Sequence, residues 1–276
     1  MERKRTGPKP GPLPEGWPID AWCRHLLGVE GMAPSSVRVR RSQLAQFGRQ
    51  HPDPRTVTRV DVGAWMLTYS AETRKGWRSA LHSYYAWAAV EGLSEIDPTL
   101  GIKVRVAEVE ARPCPEDEWR QAEKRLAASL RPRDRATALM IGLGARCGMR
   151  RSEIACCHVR DIEGQRLRIH GKGSKQRTVP VPALLLGQLR EQTGYCFPGA
   201  YGGAMTGDAA GRRIAAALPQ GWTAHTLRHR YATKAYEETG DLLLVQQLLG
   251  HASPTTTMRY IRLGSKDALI AEVMGR

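Results

Sequence analysis

Between Asp97-Pro98 and Pro115 the chain loses its helical period. Residues 101–115 are charged, contain proline and carry no apolar repeat, which is the pattern of a connection rather than of a packed element. On both sides apolar residues recur at three- and four-residue steps, the spacing of one helix face. A chain of 276 residues divided there makes two medium domains. The expected organisation is a tail over 1–16, a helical domain over 17–100, a linker over 101–115 and a second domain over 116–276.

In the first domain Ile19, Trp22, Leu26 and Leu27 mark one helix. Pro34-Ser35-Ser36 opens a second, with Ser35 or Ser36 as its N-cap. Val37, Leu44 and Phe47 form the apolar face of that helix, and Arg38, Arg40 and Arg41 cluster near its start. A third helix is expected over 59–70 and a fourth over 73–91, ended by Gly92 in the C′ position. The fourth carries the apolar stripe Trp77, Leu81, Tyr84, Tyr85 and Ala88, with Arg74, Lys75 and Arg78 at its N-terminal end. The six basic side chains on the second and fourth helices are this domain's candidates for phosphate contact. The tail holds proline and basic residues but no apolar stretch, so it reads as a flexible basic extension.

The second domain starts at Pro115-Glu116-Asp117-Glu118, with acids in the first turn of a helix. It is again mostly helical. The exception is Arg166-Leu-Arg-Ile169, then Gly171-Lys-Gly173, then Arg177-Thr-Val-Pro-Val181, which reads as a β-hairpin. The expected fold class is therefore mainly α (α+β): a four-helix N-terminal domain and a mostly helical second domain with a small antiparallel sheet. Residues 264–276, with apolar Leu269, Ile270 and Val273, read as a closing amphipathic helix.

Charge narrows the function. The chain carries a net +15, of which +11 falls after residue 100. That excess favours a polyanionic partner, nucleic acid or an anionic membrane, over a neutral metabolite. No apolar run approaches the ~20 residues that span a bilayer, and the basic N-terminus has no apolar stretch behind it as a signal peptide would. Six cysteines without a C-x-x-C pair give no disulfide framework and no zinc site. A reducing cytoplasm, no metal and no cofactor are the expectation.

Five short constellations in the basic half carry chemistry. In Gly148-Met149-Arg150-Arg151-Ser152-Glu153-Ile154 an arginine at a helix start can aim its fork at a phosphate while a carboxylate holds it. The hairpin turn Gly171-Lys172-Gly173-Ser174-Lys175-Gln176-Arg177 lacks P-loop spacing but can bring a lysine to a leaving oxygen. His225-Thr226-Leu227-Arg228-His229 places imidazole and guanidinium three residues apart on one face. Leu248-Leu249-Gly250-His251 ends a helix on a second histidine, and Tyr260 follows nine residues later. Arginines, histidines, a lysine and a tyrosine, without an acidic metal cluster, suit metal-free attack on a phosphodiester. The arginines neutralise the charge developing on phosphate, and the tyrosine is a nucleophile.

The order Arg … Lys … His-x-x-Arg … His … Tyr resembles the tyrosine recombinases, the phage-integrase family. The strings G-M-R-R-S-E-I, G-K-G-S-K-Q-R-x-V-P, H-T-L-R-H and L-L-G-H-x-S … T-x-x-x-Y resemble theirs as well. The resemblance spans residues 17–276 and implies that the first domain is a core-binding domain and the second catalytic. It implies that Arg150 and Arg228 grip the scissile phosphate, Glu153 supports them, and Lys172 is general acid to the 5′-oxygen. His225 and His251 assist, and Tyr260 forms a covalent 3′-phosphotyrosine without metal or ATP. Arg38, Arg40, Arg41, Arg74, Lys75, Arg78, Lys175 and Arg177 are then expected to bind DNA.

The implied partners are double-stranded DNA with core-type sites and three further copies in a synaptic homotetramer. An accessory DNA-bending protein is an optional partner, no membrane is involved, and the setting is a bacterial or phage-infected cytoplasm at the nucleoid. The short tail implies the two-domain type without an arm-binding domain, similar to Xer-like recombinases and short phage integrases. Residues 264–276 are expected to dock on a neighbouring protomer. Arg230 departs from the pattern, which has Ser or Thr there, and Cys156-Cys157 replaces apolar residues as expected core filling. Lys175 competes with Lys172 for the lysine role. The alternatives are a type IB topoisomerase-like activity, which rejoins the same strands, and a DNA-binding regulator with an inactive site.

Overall fold

In this computed structural model the described residues are 12–106, 112–171 and 176–250. The chain divides into two compact units, Met1–Glu108 and Val109–Arg276, so the boundary falls inside the expected linker. The two ends of that linker belong to different units. Ile102 and Val104 pack on the first core, and Cys114 is buried in the second.

The first unit contains α1 (Ile19–Gly28), α2 (Pro34–Gly48), α3 (Arg59–Leu67) and α4 (Ala71–Val90), with a 3-10 turn at Pro54–Thr56. Its core is aromatic: Trp17, Trp22, Phe47, Trp65, Trp77, Tyr84 and Tyr85 are all buried. The rings meet edge-on or tilted, as aromatic quadrupoles prefer, with centroids 4.7 Å apart for Trp17–Tyr84 and 5.3 Å for Trp65–Trp77. Two polar tips tie the core to loop backbone: Trp17 Nε1 donates to the His51 carbonyl at 2.7 Å and Tyr85 Oη to the Pro54 carbonyl at 2.9 Å.

Several boundaries move. The N-cap of α2 is Ala33, not Ser35 or Ser36, because Pro34 takes the first helical position, where its fixed φ fits and its missing N–H is not needed. The third helix stops at Leu67, since Ser70 caps α4 by accepting the Thr73 N–H at 3.5 Å. Leu27 is not part of the buried stripe but 44% exposed. Gly92 takes the expected left-handed turn at φ +69°. Leu13 packs on the core and the Pro14 carbonyl accepts the Trp17 N–H, so the packed unit already includes these residues. The expected tail boundary at 16 lay too far along the chain.

The second unit contains α5 (Glu116–Ala127), α6 (Pro132–Cys147), α7 (Arg151–Ala155), β1 (Ile162–Glu163), β2 (Arg166–His170), β3 (Gln176–Pro180), α8 (Ala183–Arg190), α9 (Gly207–Ala217), α10 (Ala224–Thr239) and α11 (Leu242–Leu249). Helix α6 is the central post. It is buried on every face from Thr137 to Ala145, as its all-round small and apolar sequence demands. The sheet is antiparallel in the order β1-β2-β3, with Leu167 opposite Val179 and Ile169 opposite Arg177. Leu167, Ile169 and Val179 point into the core. Strand β1 was not expected, because two residues before a Gly164 turn are too few to show alternation.

Arg230 acts here as a bolt between helices. The guanidinium groups of Arg146 and Arg230 lie over the ring of buried Trp119, 4.6 and 5.0 Å from its centre. Arg230 also donates to the Ala145 carbonyl at 3.2 Å and to Glu116 at 2.5 Å. Hydrogen bonds from Arg230 and then Arg120 hold the Glu116 carboxyl down at about 2. So the departure from the expected Ser or Thr clamps α10 to α5 and α6. The six cysteines are free thiols, but core filling describes Cys157 only, since Cys156 is exposed. Among the described residues no helix is long and apolar enough to cross a membrane, and no three metal-ligating side chains converge.

Candidate active site

Helix α6 ends because Gly148 adopts φ +61°, a left-handed turn that β-carbon-bearing residues resist. A β-carbon there would also meet the Tyr231 ring at 2.4 Å. The turn reverses the chain into α7 and puts Arg150 at its N-cap. Glu153, three residues on, folds back to accept the Arg150 N–H at 2.7 Å and its Nη1–H at 2.8 Å. Helix α7 is held from outside by α9, where Gly207 lets Ser152 approach and Asp208 pairs with Arg151 at 3.0 Å.

Glu153 is the electrostatic centre. Its side chain is 2% exposed, yet it faces arginines from three directions: Arg150 on its own turn, Arg177 on β3 and Arg228 on α10. Arg177 gives it a bidentate pair at 2.7 and 2.8 Å, and Arg228 Nη1 lies 3.8 Å away. Burial is the strongest single influence and pushes its carboxyl up. The hydrogen bonds and charge of Arg177, the Arg150 N–H and the charge of Arg228 together outweigh it, so the group sits below the ordinary carboxylate range.

Arg228 is buried, at 3% exposure. Its fork donates to two helix-end carbonyls, Nη1 to Gly148 at 2.5 Å and Nη2 to Leu249 at 2.6 Å. Arg150 Nη2 reaches the Gly250 carbonyl at 3.4 Å, and Arg177 Nε reaches Leu248 at 2.9 Å. Three consecutive carbonyls at the end of α11 thus each accept from a different arginine. Such carbonyls lack helical donors and carry the negative end of the helix dipole, so cations settle there. His225 stands on the first turn of α10, one turn before Arg228, behind a Thr223–Thr226 capping box, with its ring 4.1 Å from that of His229.

Arg150, Glu153 and Arg228 are therefore brought together, and His225 is carried on the same helix as Arg228. Arg177 is corrected: it was expected on DNA, but its guanidinium is engaged inside the protein with Glu153 and Leu248. The register of the sheet sets its place: Arg177 is the second residue of β3 and lies opposite buried Ile169. Lys172, Lys175, His251, Tyr260 and the 264–276 helix lie outside the described residues. In the first unit Arg38 and Lys75 are exposed. Arg41 pairs with Asp20 at 3.1 Å, Arg40 donates to Ser79 at 3.2 Å, and Arg74 folds back onto the Tyr69 and Leu67 carbonyls. The Arg40 Nη1 and Arg78 Nε atoms are buried without a hydrogen-bond partner among the described residues.

Comparison with known proteins places the chain in a family. The Phage integrase family matches residues 118–266. Tyrosine recombinase XerC of Xylella fastidiosa (strain 9a5c) is 34% identical over 218 residues, 70% of this chain and 71% of that protein. Among solved structures, a lambda integrase(75–356) dimer bound to a COC′ core site matches with TM-score 0.69 and 19% identity, over 88% of this chain and 93% of that one. A lambda integrase tetramer bound to a Holliday junction matches with TM-score 0.66 and 20% identity, over 86% and 77%. The structural likenesses show the fold, mostly helical with a small three-stranded antiparallel sheet. The sequence matches, covering more than half of the chain, show that it belongs to the phage integrase family, the tyrosine recombinases.

Proposed function

We propose that this chain performs site-specific DNA recombination by cleaving and rejoining strands through a covalent 3′-phosphotyrosine on Tyr260. The observation that carries the reading is the convergence of Arg150 and Arg228 on buried Glu153, beside the Gly250 turn that leads into His251. Two guanidinium groups gathered around one carboxylate can hold the two non-bridging oxygens of a phosphodiester and neutralise the charge that grows on them during attack. Glu153 keeps both forks oriented. Removal of one such preorganised donor costs on the order of 10²–10³ in rate.

In this scheme the Tyr260 oxygen attacks phosphorus and the 5′-oxygen leaves, taking a proton from Lys172. His225 and His251 move protons and bind phosphate. A 5′-hydroxyl of a second duplex then attacks the phosphotyrosine, and Tyr260 recovers its proton as the new phosphodiester forms. One phosphodiester is exchanged for another, so the scheme needs no ATP. The proposed partners are double-stranded DNA and three further copies in a synaptic tetramer, a reading supported by the DNA-bound lambda integrase dimer and tetramer among the structural neighbours. An accessory DNA-bending protein is a further proposed partner, and the bacterial cytoplasm the proposed setting. Arg38, Arg40, Arg41, Arg74, Lys75, Arg78 and Lys175 remain the proposed DNA contacts.

The test uses a duplex enriched from a random-sequence pool by the full chain, nicked so that cleavage traps the protein. The expected result is a covalent adduct that forms in excess EDTA and maps by mass spectrometry to Tyr260. Tyr260→Phe should bind the duplex and form none. An adduct on another tyrosine, or cleavage that vanishes with EDTA and returns with magnesium, overturns the scheme. Strands joined to a second duplex distinguish recombination from relaxation alone.

A further inference from the structure

Arg177 differs from the two arginines beside it in what it bonds. Its side chain is 10% exposed, between the 39% of Arg150 and the 3% of Arg228. All three of its guanidinium nitrogens have protein partners: Nη1 and Nη2 on the two Glu153 oxygens and Nε on the Leu248 carbonyl. Two parallel N–H groups matched to two carboxylate oxygens, with a third donor left for a carbonyl, is a geometry that guanidinium offers and ammonium does not. Gly250 completes the fit. It turns at φ +62°, and a β-carbon there would meet Arg177 Cδ at 3.0 Å.

The position matters as much as the bonds. Arg177 lies on the strand that follows the Lys172 turn. Its carboxylate partner sits on the Arg150 turn. Its carbonyl partner is three residues before His251. A phosphate entering between Arg150 and Arg228 competes with Gly250, Leu249 and Gly148 for their N–H groups. Arg177 commits all three of its guanidinium nitrogens to Glu153 and Leu248, with no bond to a carbonyl that an entering phosphate would replace at Gly148, Leu249 or Gly250.

We propose that Arg177 is a positioning residue for strand cleavage: it fixes the Arg150 turn through Glu153 and the base of the His251–Tyr260 segment through Leu248, without touching phosphate. The inference rests on the functional reading above. Lysine at 177 keeps a cation beside Glu153 but cannot reach two oxygens and a carbonyl together. A loosened Arg150 turn then misplaces the phosphate, and a misplacement of about 1 Å costs on the order of 100-fold in rate.

The experiment measures single-turnover adduct formation by the full chain on the same enriched, nicked duplex, at saturating DNA, for wild type, Arg177→Lys and Arg177→Met. Affinity and melting temperature are recorded alongside. We expect affinity within a few-fold of wild type and a rate per bound complex lowered on the order of 100-fold for Arg177→Met, with incomplete rescue by lysine. Arg177→Met should also shift the acid limb of the rate upward in pH, because Glu153 loses a charge that holds its proton off while Arg150 and Arg228 remain. An unchanged rate per bound complex, at any melting temperature, overturns the proposal. So does complete loss of binding, which would make Arg177 a folding residue only. Absence of adduct with wild type defeats the functional reading instead, and the two failures are distinct.

Discussion

The two units use arginine in opposite ways. In the first, packing is done by tryptophan and tyrosine, and the arginines pair locally around that core with separate partners: Arg41 with Asp20, Arg40 with Ser79, Arg55 with Asp53, Arg74 with the Tyr69 and Leu67 carbonyls. In the second, three arginines, two of them largely buried, share one buried carboxylate. Exposed charges are screened by water and contribute little to stability. Buried ones are costly to desolvate and hold only when every partner is present. The same residue type is thus dispensable to folding in one unit and bound up with folding in the other, and a substitution should reveal which.

The largest stability effect is expected at Glu153. Glu153→Ala leaves Arg177 and Arg228 buried beside each other without their shared anion. Breaking a buried pair in this way costs about 3–5 kcal/mol, read as a fall in melting temperature of roughly 2–4 °C per kcal/mol for a unit of this size. The pH dependence follows in sign. The folded pKa of Glu153 lies below its ordinary 4.5, so its contribution is present above that value and is lost as pH falls through the folded pKa. The gap in melting temperature between wild type and Glu153→Gln should therefore close in acid below about 4.5. A gap that stays constant down to strong acid would mean that the carboxylate charge is not what holds the cluster.

Next comes the turn that aims Arg150. Gly148→Ala must accept a left-handed φ and push the Tyr231 ring from a position 2.4 Å from the new β-carbon. Each strained backbone position costs on the order of 1–3 kcal/mol, and the ring must shift besides. We expect a lower melting temperature together with a slower adduct rate, since the same turn sets both the end of α6 and the Arg150 fork. Wild-type stability with an unchanged rate would show that α7 is set by α9 alone.

Much of this was legible beforehand, for physical reasons that differ by element. Helices with a long apolar period, such as Ala71–Val90, announced themselves, and so did the hairpin through its alternating Leu167, Ile169 and Val179. Cap positions were less legible, because Ser and Pro compete for neighbouring positions and the sequence does not say which wins at Pro34. Arg150, Glu153 and Arg228 were found as types at recognisable spacings. The inward turn of Arg177 was not, since a basic residue next to a Gly-Lys turn reads as exposed until a buried carboxylate from another element is seen beside it. Arg230 was marked only as a departure, because its partners Trp119 and Glu116 lie more than a hundred residues earlier.

The smallest effect on stability, and the sharpest contrast with Glu153, is expected at Arg38 and Lys75. Both are exposed, Arg38 on α2 and Lys75 on α4. Arg38→Gln and Lys75→Gln should each leave the melting temperature nearly unchanged, within about 0.5 kcal/mol of stability. Their cost should appear in binding and in its salt dependence. A lysine or arginine that neutralises one phosphate releases condensed counterion, so its loss lowers the slope of log affinity against log salt by about one. Affinity for the enriched duplex and for unrelated duplexes should fall together, because a phosphate contact carries no sequence information. A loss of affinity for the enriched duplex alone, with the slope unchanged, would place these side chains on base edges instead. A loss of stability would show that the first unit also builds its fold on arginine, and the contrast between the units would fail.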